Sequence, residues 1–401
     1  MNLYTYAPIC LPLNWQSELL SEKSERFRLI KTLVNGSNKV EDNPWPVGYG
    51  SLSHDNLPVL YQVAATITLC ELEQEDDVKK AQLYCFDNCL AVLFIHFYLP
   101  QSAVNANKTK LVDDAAISAR VEALSKRYIS PICESLYAYK GGSKLIAPAK
   151  YTFFKDDRKD LVSAKPLWVA RAILKDKQCE MDKYKQWLEN IDESSDMLLL
   201  GSGNSLILNA QDIVDVHRVM VLSQFHAALM ARVEEILKNT LRNFNAAYFD
   251  ASVTKEIRND LCLHQQRNDH IEFIGIQYSA AGAGMQGKRR LLFQQFEHAW
   301  QFSEQQSRIE QLSNLIQQRL NRLMNEQFSR QNRAIQTLLA FLGALSLLGL
   351  VVDLASLHAD SDHDKTYGIL DIFQLVATEN ILNITIIVVV ILTLYFYRNH
   401  E

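Results

Sequence analysis

Two apolar runs near the C-terminal end dominate the hydrophobic pattern of this 401-residue chain. The first covers 337–357, with Asp353 as its only ionisable residue, and the second covers 381–397. As helices they rise about 31 Å and about 26 Å, close to the thickness of the hydrocarbon core of a bilayer. A buried helical core is the alternative, but two such runs separated by polar sequence are hard to bury. The pattern therefore predicts two transmembrane helices.

Positive charge flanks the two runs and is scarce between them. Four arginines precede the first run and one follows the second, whereas the connecting segment 358–380 has Lys365 as its only strong base. The arginines are Arg319, Arg322, Arg330, Arg333 and Arg398. Basic residues favour the cytoplasmic side, and the N-terminus carries no visible secretory signal. This predicts a multi-pass protein of the bacterial inner (plasma) membrane with both termini in the cytoplasm.

Helical spacing dominates the chain between residue 211 and the first run. The pattern predicts one long helix at 212–244, and no proline interrupts 290–357. If that second helix is continuous, it is about 100 Å long. An apolar stripe follows it at helical spacing, formed by Ile309, Leu312, Ile316, Leu320 and Leu323. The stripe predicts a packing seam or, in a sharper interpretation, a seam between identical subunits. The segment 271–278 fits either a strand or the end of a helix.

The N-terminal half mixes strand and helix patterns. Strand pairs are predicted at 80–100, with a turn at 87–88, and at 196–209, with a turn at 201–204. The spacing at 111–139 is helical. We predict an irregular N-terminal segment at 1–60, an α+β cytoplasmic domain at 60–210, long helices including a stalk at 211–336, transmembrane helices at 337–357 and 381–397, and an outer acidic loop at 358–380.

Bulk composition excludes a disordered chain and argues against binding to nucleic acid driven by bulk charge. The chain is 48% hydrophobic and 22% charged, and its net charge is −5. Its seven cysteines match no zinc-binding spacing. They predict buried thiols in a reducing compartment.

A glycine-rich loop at 282–290 has the spacing of a phosphate-binding loop. It contains both G-x-x-x-x-G-K and G-x-G-x-x-G, but Arg289 follows Lys288 where the motif needs a Ser or Thr to hold Mg²⁺. We interpret the loop as a turn that begins a helix. Lys288, Arg289 and Arg290 then oppose the helix dipole. Contact with an anion from another subunit or with a phosphorylated messenger would explain them, and a solvated basic turn is the alternative.

One face of the first run combines small residues with an acid. Gly343, Ser346, Gly349 or Leu350, and Asp353 recur at helical spacing. An ionisable residue within a span usually faces partners or water. The face therefore predicts a pore lining contributed by several copies. Close packing of the two spans through small residues is the alternative.

The connecting segment 358–380 is strongly acidic. Five carboxylates stand against one lysine, which leaves −4 per copy; they belong to Asp360, Asp362, Asp364, Asp371 and Glu379. A ring of such loops would attract cations to a pore mouth. Alternating aspartates suit Mg²⁺ or another divalent cation, although the EF-hand pattern lacks its glycine and terminal glutamate. A plain solvated loop is the alternative.

The histidines give no catalytic signature. No Ser-His-Asp order and no His-x-x-x-His motif occurs in the chain. His217 and His226 lie on one predicted helix, but their spacing makes a poor metal pair. We expect core or surface histidines and a protein that is not an enzyme.

The order of elements over 60–401 resembles that of the CorA-type magnesium channel superfamily. A mixed α/β domain, long helices, a stalk continuous with the first span and a second span at the C-terminal end carry this resemblance. The Gly-Met-Asn signature of the family is absent, and the corresponding stretch is VVDLASLHAD. The resemblance implies a funnel-shaped homo-oligomer, most simply a pentamer, with the first span lining the funnel.

Three functions follow as expectations. The first is a homo-oligomeric cation channel for Mg²⁺ or another divalent cation. The second, implied by divergent members of the superfamily, is an effector of CRISPR-type antiviral defence that permeabilises the membrane when a nucleotide messenger binds. The third is a membrane-tethered sensor without a pore. The implied partners are membrane lipid, further copies of the chain and a nucleotide messenger.

Overall fold

The architecture comes from a computed structural model. It describes residues 1–13, 28, 30–34, 38–41, 45, 61–86, 88–99, 112–139, 162–175, 181–189, 196–247, 254–359, 380 and 383–391. The chain divides into two compact units, one formed by 1–253 with 258–316 and the other by 254–257 with 317–401.

A mixed sheet organises the first unit. Its described strands lie in the order β2-β3-β4-β5-β1-β6-β8-β7. Only β6 and β8 pair in parallel, and the other described pairs are antiparallel. The strands are β1 (Asn2–Cys10), β2 (Lys39–Glu41), β3 (Ala65–Thr68), β4 (Val78–Cys85), β5 (Leu90–Tyr98), β6 (Ala170–Leu174), β7 (Leu198–Leu200) and β8 (Asn204–Ile207).

The central strand β1 lies in the segment that the sequence predicts to be irregular. It pairs with β5 along its whole length and with β6 over residues 3–6. Seven of its nine residues are buried. A strand covered on both faces lacks the polar alternation that marks a half-exposed strand. The prediction for 1–60 is therefore wrong over β1, because burial on both faces erased the expected pattern.

Helices cover both faces of the sheet. Helices α1 (Asp114–Tyr128), α2 (Ser130–Ala138) and α3 (Met181–Leu188) share one hydrophobic core with Ala7 and Ile9 of β1. Helix α4 (Ile213–Ala247) lies on the opposite face, where its Phe225 stacks on Phe86 at 4.1 Å. Side chains alternate between the faces of a strand, so the odd and even positions of β1 meet different helices.

Both predicted hairpins are present. Strands β4 and β5 pair around residues 86–89, where Asn88 and Cys89 have φ angles of 63° and 55°. Strands β7 and β8 pair around 201–203, and Gly203 has a φ of 93°. Left-handed backbone of this kind is the usual geometry of tight hairpin turns.

The long helices depart from the prediction at one point. Residues 271–278, whose pattern fits a strand or the end of a helix, lie within helix α5 (Thr254–Ala283). Helix α6 (Lys288–Ala299) follows the glycine-rich loop. Helix α7 (Phe302–Ala359) starts afresh after a break at Gln301, whose φ is 53°. One continuous helix from 290 to 357 was therefore a wrong prediction. No proline marks the break, and glutamine is an unusual residue in left-handed backbone.

The apolar stripe of α7 is a packing seam within one chain. Ile309, Ile316 and Leu320 are fully buried. Leu312 and Leu323 are half-buried. The three buried side chains are covered without a second copy, which supports the simpler interpretation of the stripe.

The prediction of two C-terminal membrane spans is contradicted. A span needs about 20 consecutive apolar residues to cross some 30 Å of hydrocarbon. In the described part of the chain, no helix combines the length and the apolarity that crossing a bilayer requires.

Three further predictions depended on those spans and are corrected with them. They are the CorA-like funnel, the description of the chain as a transmembrane channel protein, and the multi-pass location in the bacterial inner membrane. The mixed α/β domain with long helices is the part of the predicted fold that the structure retains.

Candidate functional site

The residues predicted to line a pore do not form a site within one chain. Gly343, Ser346, Gly349, Leu350 and Asp353 are all exposed on α7. Neither glycine has a neighbour within 4 Å of the position that a Cβ atom would occupy. Gly343 and Gly349 therefore meet no close neighbour among the described residues of the chain.

The predicted acidic loop falls outside the described residues. Asp360, Asp362, Asp364, Asp371 and Glu379 all belong to that part of the chain. Within the described residues, no group of three or more His, Cys, Asp or Glu side chains is arranged to hold a metal ion. A divalent cation therefore stays a prediction that no finding tests.

The glycine-rich loop connects two helices. It follows α5 instead of a strand, so it lacks the structural context of a phosphate-binding loop. The Lys288 ammonium lies 2.5 Å from Oδ1 of Asp212, and Arg289 Nε lies 2.9 Å from Oδ1 of Asp215. Both acids stand at the start of α4. Two of the three predicted anion-binding bases thus have carboxylate partners, while Arg290 is exposed.

His217 fastens α4 to the sheet through an ordered chain of hydrogen bonds. The Tyr84 hydroxyl donates to Gln82 Oε1 at 2.7 Å, so its oxygen accepts from His217 Nε2–H at 2.8 Å. The Tyr6 hydroxyl then donates to His217 Nδ1 at 3.1 Å. Both ring nitrogens are used, and burial lowers the pKa of His217 to about 3. The ring is therefore neutral, and its role is structural: it holds α4 against the sheet.

Trp45 covers the ring of His217 and contacts a basic side chain. Its indole stacks on Tyr84 at 5.0 Å and meets His217 edge-on at 5.8 Å. The guanidinium of Arg218 lies over the same indole, 5.9 Å from the ring centroid. Arg218 is half-buried, and its Nε has no hydrogen-bond partner among the described residues. An aromatic surface, a desolvated cation and an unused donor thus meet at one place.

Further charges surround Arg218. Burial lowers the pKa of Arg218, the nearby Arg289 lowers it further, and Asp215 opposes both. The charges that act on one another here are those of Arg218 and Arg289 against that of Asp215, a surplus of one positive charge. We call Trp45, Tyr84, Asp215, His217, Arg218 and Arg289 together the Trp45–Arg218 site. The arrangement suits an anion that carries or lies beside an aromatic ring.

A second aromatic cluster lies further along α4 and is fully packed. His226 stacks on Tyr278 at 3.8 Å and meets Phe302 edge-on, and a hydrogen bond of 2.6 Å joins its Nδ1 to the Tyr61 hydroxyl. His226 is 2% exposed, and burial lowers its pKa to about 3. This cluster ties α4, α5 and α7 together, which confirms a core role for the histidine.

Because His217 and His226 are neutral in the folded chain, we predict that its free energy of unfolding falls in mild acid. The pKa values of His217 and His226 are about 3 in the folded chain and about 6.5 when unfolded. Below pH 6.5 the unfolded chain binds protons that the folded chain refuses, so stability falls as pH drops towards 3. Each histidine contributes up to about 1.4 kcal/mol per pH unit. Urea unfolding at pH 7, 6 and 5 measures the slope.

Two variants separate this effect from general acid sensitivity. His217→Gln should flatten the slope by about one histidine's share. The same change at His226 should flatten it by a similar share. An equal slope in all three proteins would contradict the assignment.

Sequence reasoning missed the key members of the Trp45–Arg218 site. Trp45 lies between two prolines, and Arg218 directly follows His217, for which the sequence predicts only a core or surface role. The spacing of Asp212, Asp215 and Arg218, three residues apart, places them near one face of a helix. That spacing was the available signal, but common surface charges give it as well.

No family model, no curated protein and no solved structure matches the chain. The resemblance to the CorA-type superfamily and the expected self-association therefore stay predictions.

Proposed function

We propose that this chain is a non-catalytic sensor protein that binds a phosphorylated small molecule of the nucleotide class at the Trp45–Arg218 site. The observation that supports this most is the half-buried guanidinium of Arg218, whose Nε lacks an acceptor among the described residues. A desolvated donor without a partner costs about 1–3 kcal/mol. A ligand that supplies the acceptor would explain why the chain tolerates that cost.

The charge distribution favours a phosphate group as the acceptor. Guanidinium groups present a planar fork that matches phosphate oxygens. Arg289 lies close enough to Arg218 to help lower the pKa of Arg218, after burial, and an anion between the two would relieve that repulsion. The indole of Trp45 borders the same cation. This neighbourhood favours a phosphate attached to an aromatic base over an inorganic ion.

The surrounding groups argue for sensing over catalysis. His217 has both ring nitrogens engaged with tyrosine hydroxyls, so neither is available for proton transfer to a ligand. Asp215 is paired with Arg289. The site instead touches the first turns of α4 and α6 and, through Tyr84, the sheet. A ligand bound there would change how α4, α6 and the sheet pack against one another.

Calorimetric titration with ADP and with pyrophosphate at about 50 mM salt tests the proposal, because low salt preserves phosphate contacts. We expect Arg218→Gln to weaken ADP binding at least about tenfold, since a charge-assisted hydrogen bond contributes about 1.5–3 kcal/mol. The melting temperature should not fall, because the substitution removes a desolvated cation with an unused donor. That combination separates a binding role from a structural one.

Arg242→Gln is the matched control. Arg242 lies on the same helix, is exposed and donates to Asn239 at 3.4 Å. The Arg242→Gln protein should bind ADP as tightly as the wild-type protein does. The proposal fails if Arg218→Gln binds ADP normally, or if the wild-type protein binds neither ADP nor pyrophosphate at millimolar concentration.

A further inference from the structure

Asp215 lies where it acts on several of the bases around the Trp45–Arg218 site. Its Oδ1 accepts from Arg289 Nε at 2.9 Å. Its charge also opposes the lowering of the Arg218 pKa and, after Asp212, helps to raise the pKa of Lys288. One carboxylate thus supplies part of the negative charge that a phosphate would supply at the same place.

The two acids at the start of α4 differ in how firmly they are held. Both bases are exposed, Lys288 to 58% and Arg289 to 43%, but the side chain of Asp212 is 4% exposed whereas that of Asp215 is 30% exposed. Exposed ion pairs are weak because water and salt screen them. The Arg289–Asp215 pair can therefore open while the Lys288–Asp212 pair keeps the first turn of α6 in place.

We infer that Asp215 is a built-in competitor for the ligand, a carboxylate that occupies Arg289 in the ligand-free protein and yields it to a phosphate group. This inference rests on the proposed function of the Trp45–Arg218 site. When the anion binds, Arg289 leaves the Asp215 carboxylate on α4 and contacts the anion instead. The Arg289–Asp215 ion pair is then broken, while the Lys288–Asp212 pair is kept. Ligand affinity is thereby set by the chain's own acid.

The inference makes an unusual prediction for Asp215→Asn. Removing the competing charge should tighten the binding of ADP and of pyrophosphate about tenfold in calorimetric titrations at low salt. Asp215→Glu keeps the charge and should not show this gain in affinity. The gain in Asp215→Asn should shrink as salt rises, because screening weakens the competing pair as well.

The outcomes separate this inference from the function on which it rests. Tighter binding by Asp215→Asn but not by Asp215→Glu supports the competition. Unchanged or weaker binding by Asp215→Asn overturns it, while ADP binding by the wild-type protein that depends on Arg218 leaves the proposed function standing. If neither the wild-type protein nor Asp215→Asn binds ADP or pyrophosphate, both proposals are overturned. Circular dichroism melting curves establish that the variants are folded.

Discussion

Replacing Gly201 with alanine is expected to lower the free energy of unfolding by about 3 kcal/mol or more, because overpacking against backbone is costly. A Cβ atom at Gly201 would lie 2.1 Å from the carbonyl oxygen of Leu188 and 2.9 Å from its carbonyl carbon. Leu188 ends helix α3 and is buried in the core. The helix end must therefore move, and the core beneath it must open. Urea denaturation measures the loss.

Gly203→Ala is the matched control for this prediction. Gly203 lies in the same turn, and nothing is within 4 Å of the position of its Cβ atom, but its φ is 93°. Its cost is therefore backbone strain alone, about 1–2 kcal/mol. If the two substitutions cost the same, the close approach of Gly201 to α3 is not what requires glycine there.

Asp114→Ala is expected to cost about 3 kcal/mol of unfolding free energy, because it strips the acceptor from several buried donors. The carboxylate accepts from the Trp187 indole N–H at 2.9 Å and from the Asn204 amide at 2.9 Å. It also lies 3.8 Å from Arg171 Nε, and the Arg171 side chain is only 11% exposed. Without Asp114 the guanidinium stays desolvated and loses its opposing charge.

Two comparisons make the prediction for Asp114 specific. Asp113 is the N-cap of α1, accepting from the backbone N–H groups of Ala115 and Ala116. Asp113→Ala should cost only about 1 kcal/mol, the usual contribution of such a cap. Adding Arg171→Met to Asp114→Ala should restore part of the loss, because the unpaired charge is then gone. A double variant no more stable than Asp114→Ala would contradict the electrostatic explanation.

Local pattern was sufficient for elements whose signal lies within a few residues. The hairpin at 196–209 follows from a Gly-Ser-Gly-Asn turn between apolar segments, and the turn and strands are present. The apolar spacing at 212–244 predicted a long helix, and α4 covers it. Turn chemistry and helical periodicity depend on neighbours in sequence.

The candidate site could not be predicted in the same way. Trp45, Arg218 and Arg289 come from three distant segments, and each residue type is common on protein surfaces. The sequence shows Lys288 and Arg289 as a basic turn. That they pair with Asp212 and Asp215 follows from how α6 packs beside α4. The unpaired Nε of Arg218 is a property of burial.

The sequence alone determined the mixed α/β character, the hairpins, the long α4 helix and the apolar stripe on α7. Only the tertiary structure decided that β1 is the centre of the sheet, that the last helices break at Gln301, and that the described helices do not meet the requirements of a membrane span. The physical reason is common to these cases. Periodicity reports one face of one element, whereas a doubly covered strand, a helix break without proline and a site between three segments are fixed by contacts between residues far apart in the chain.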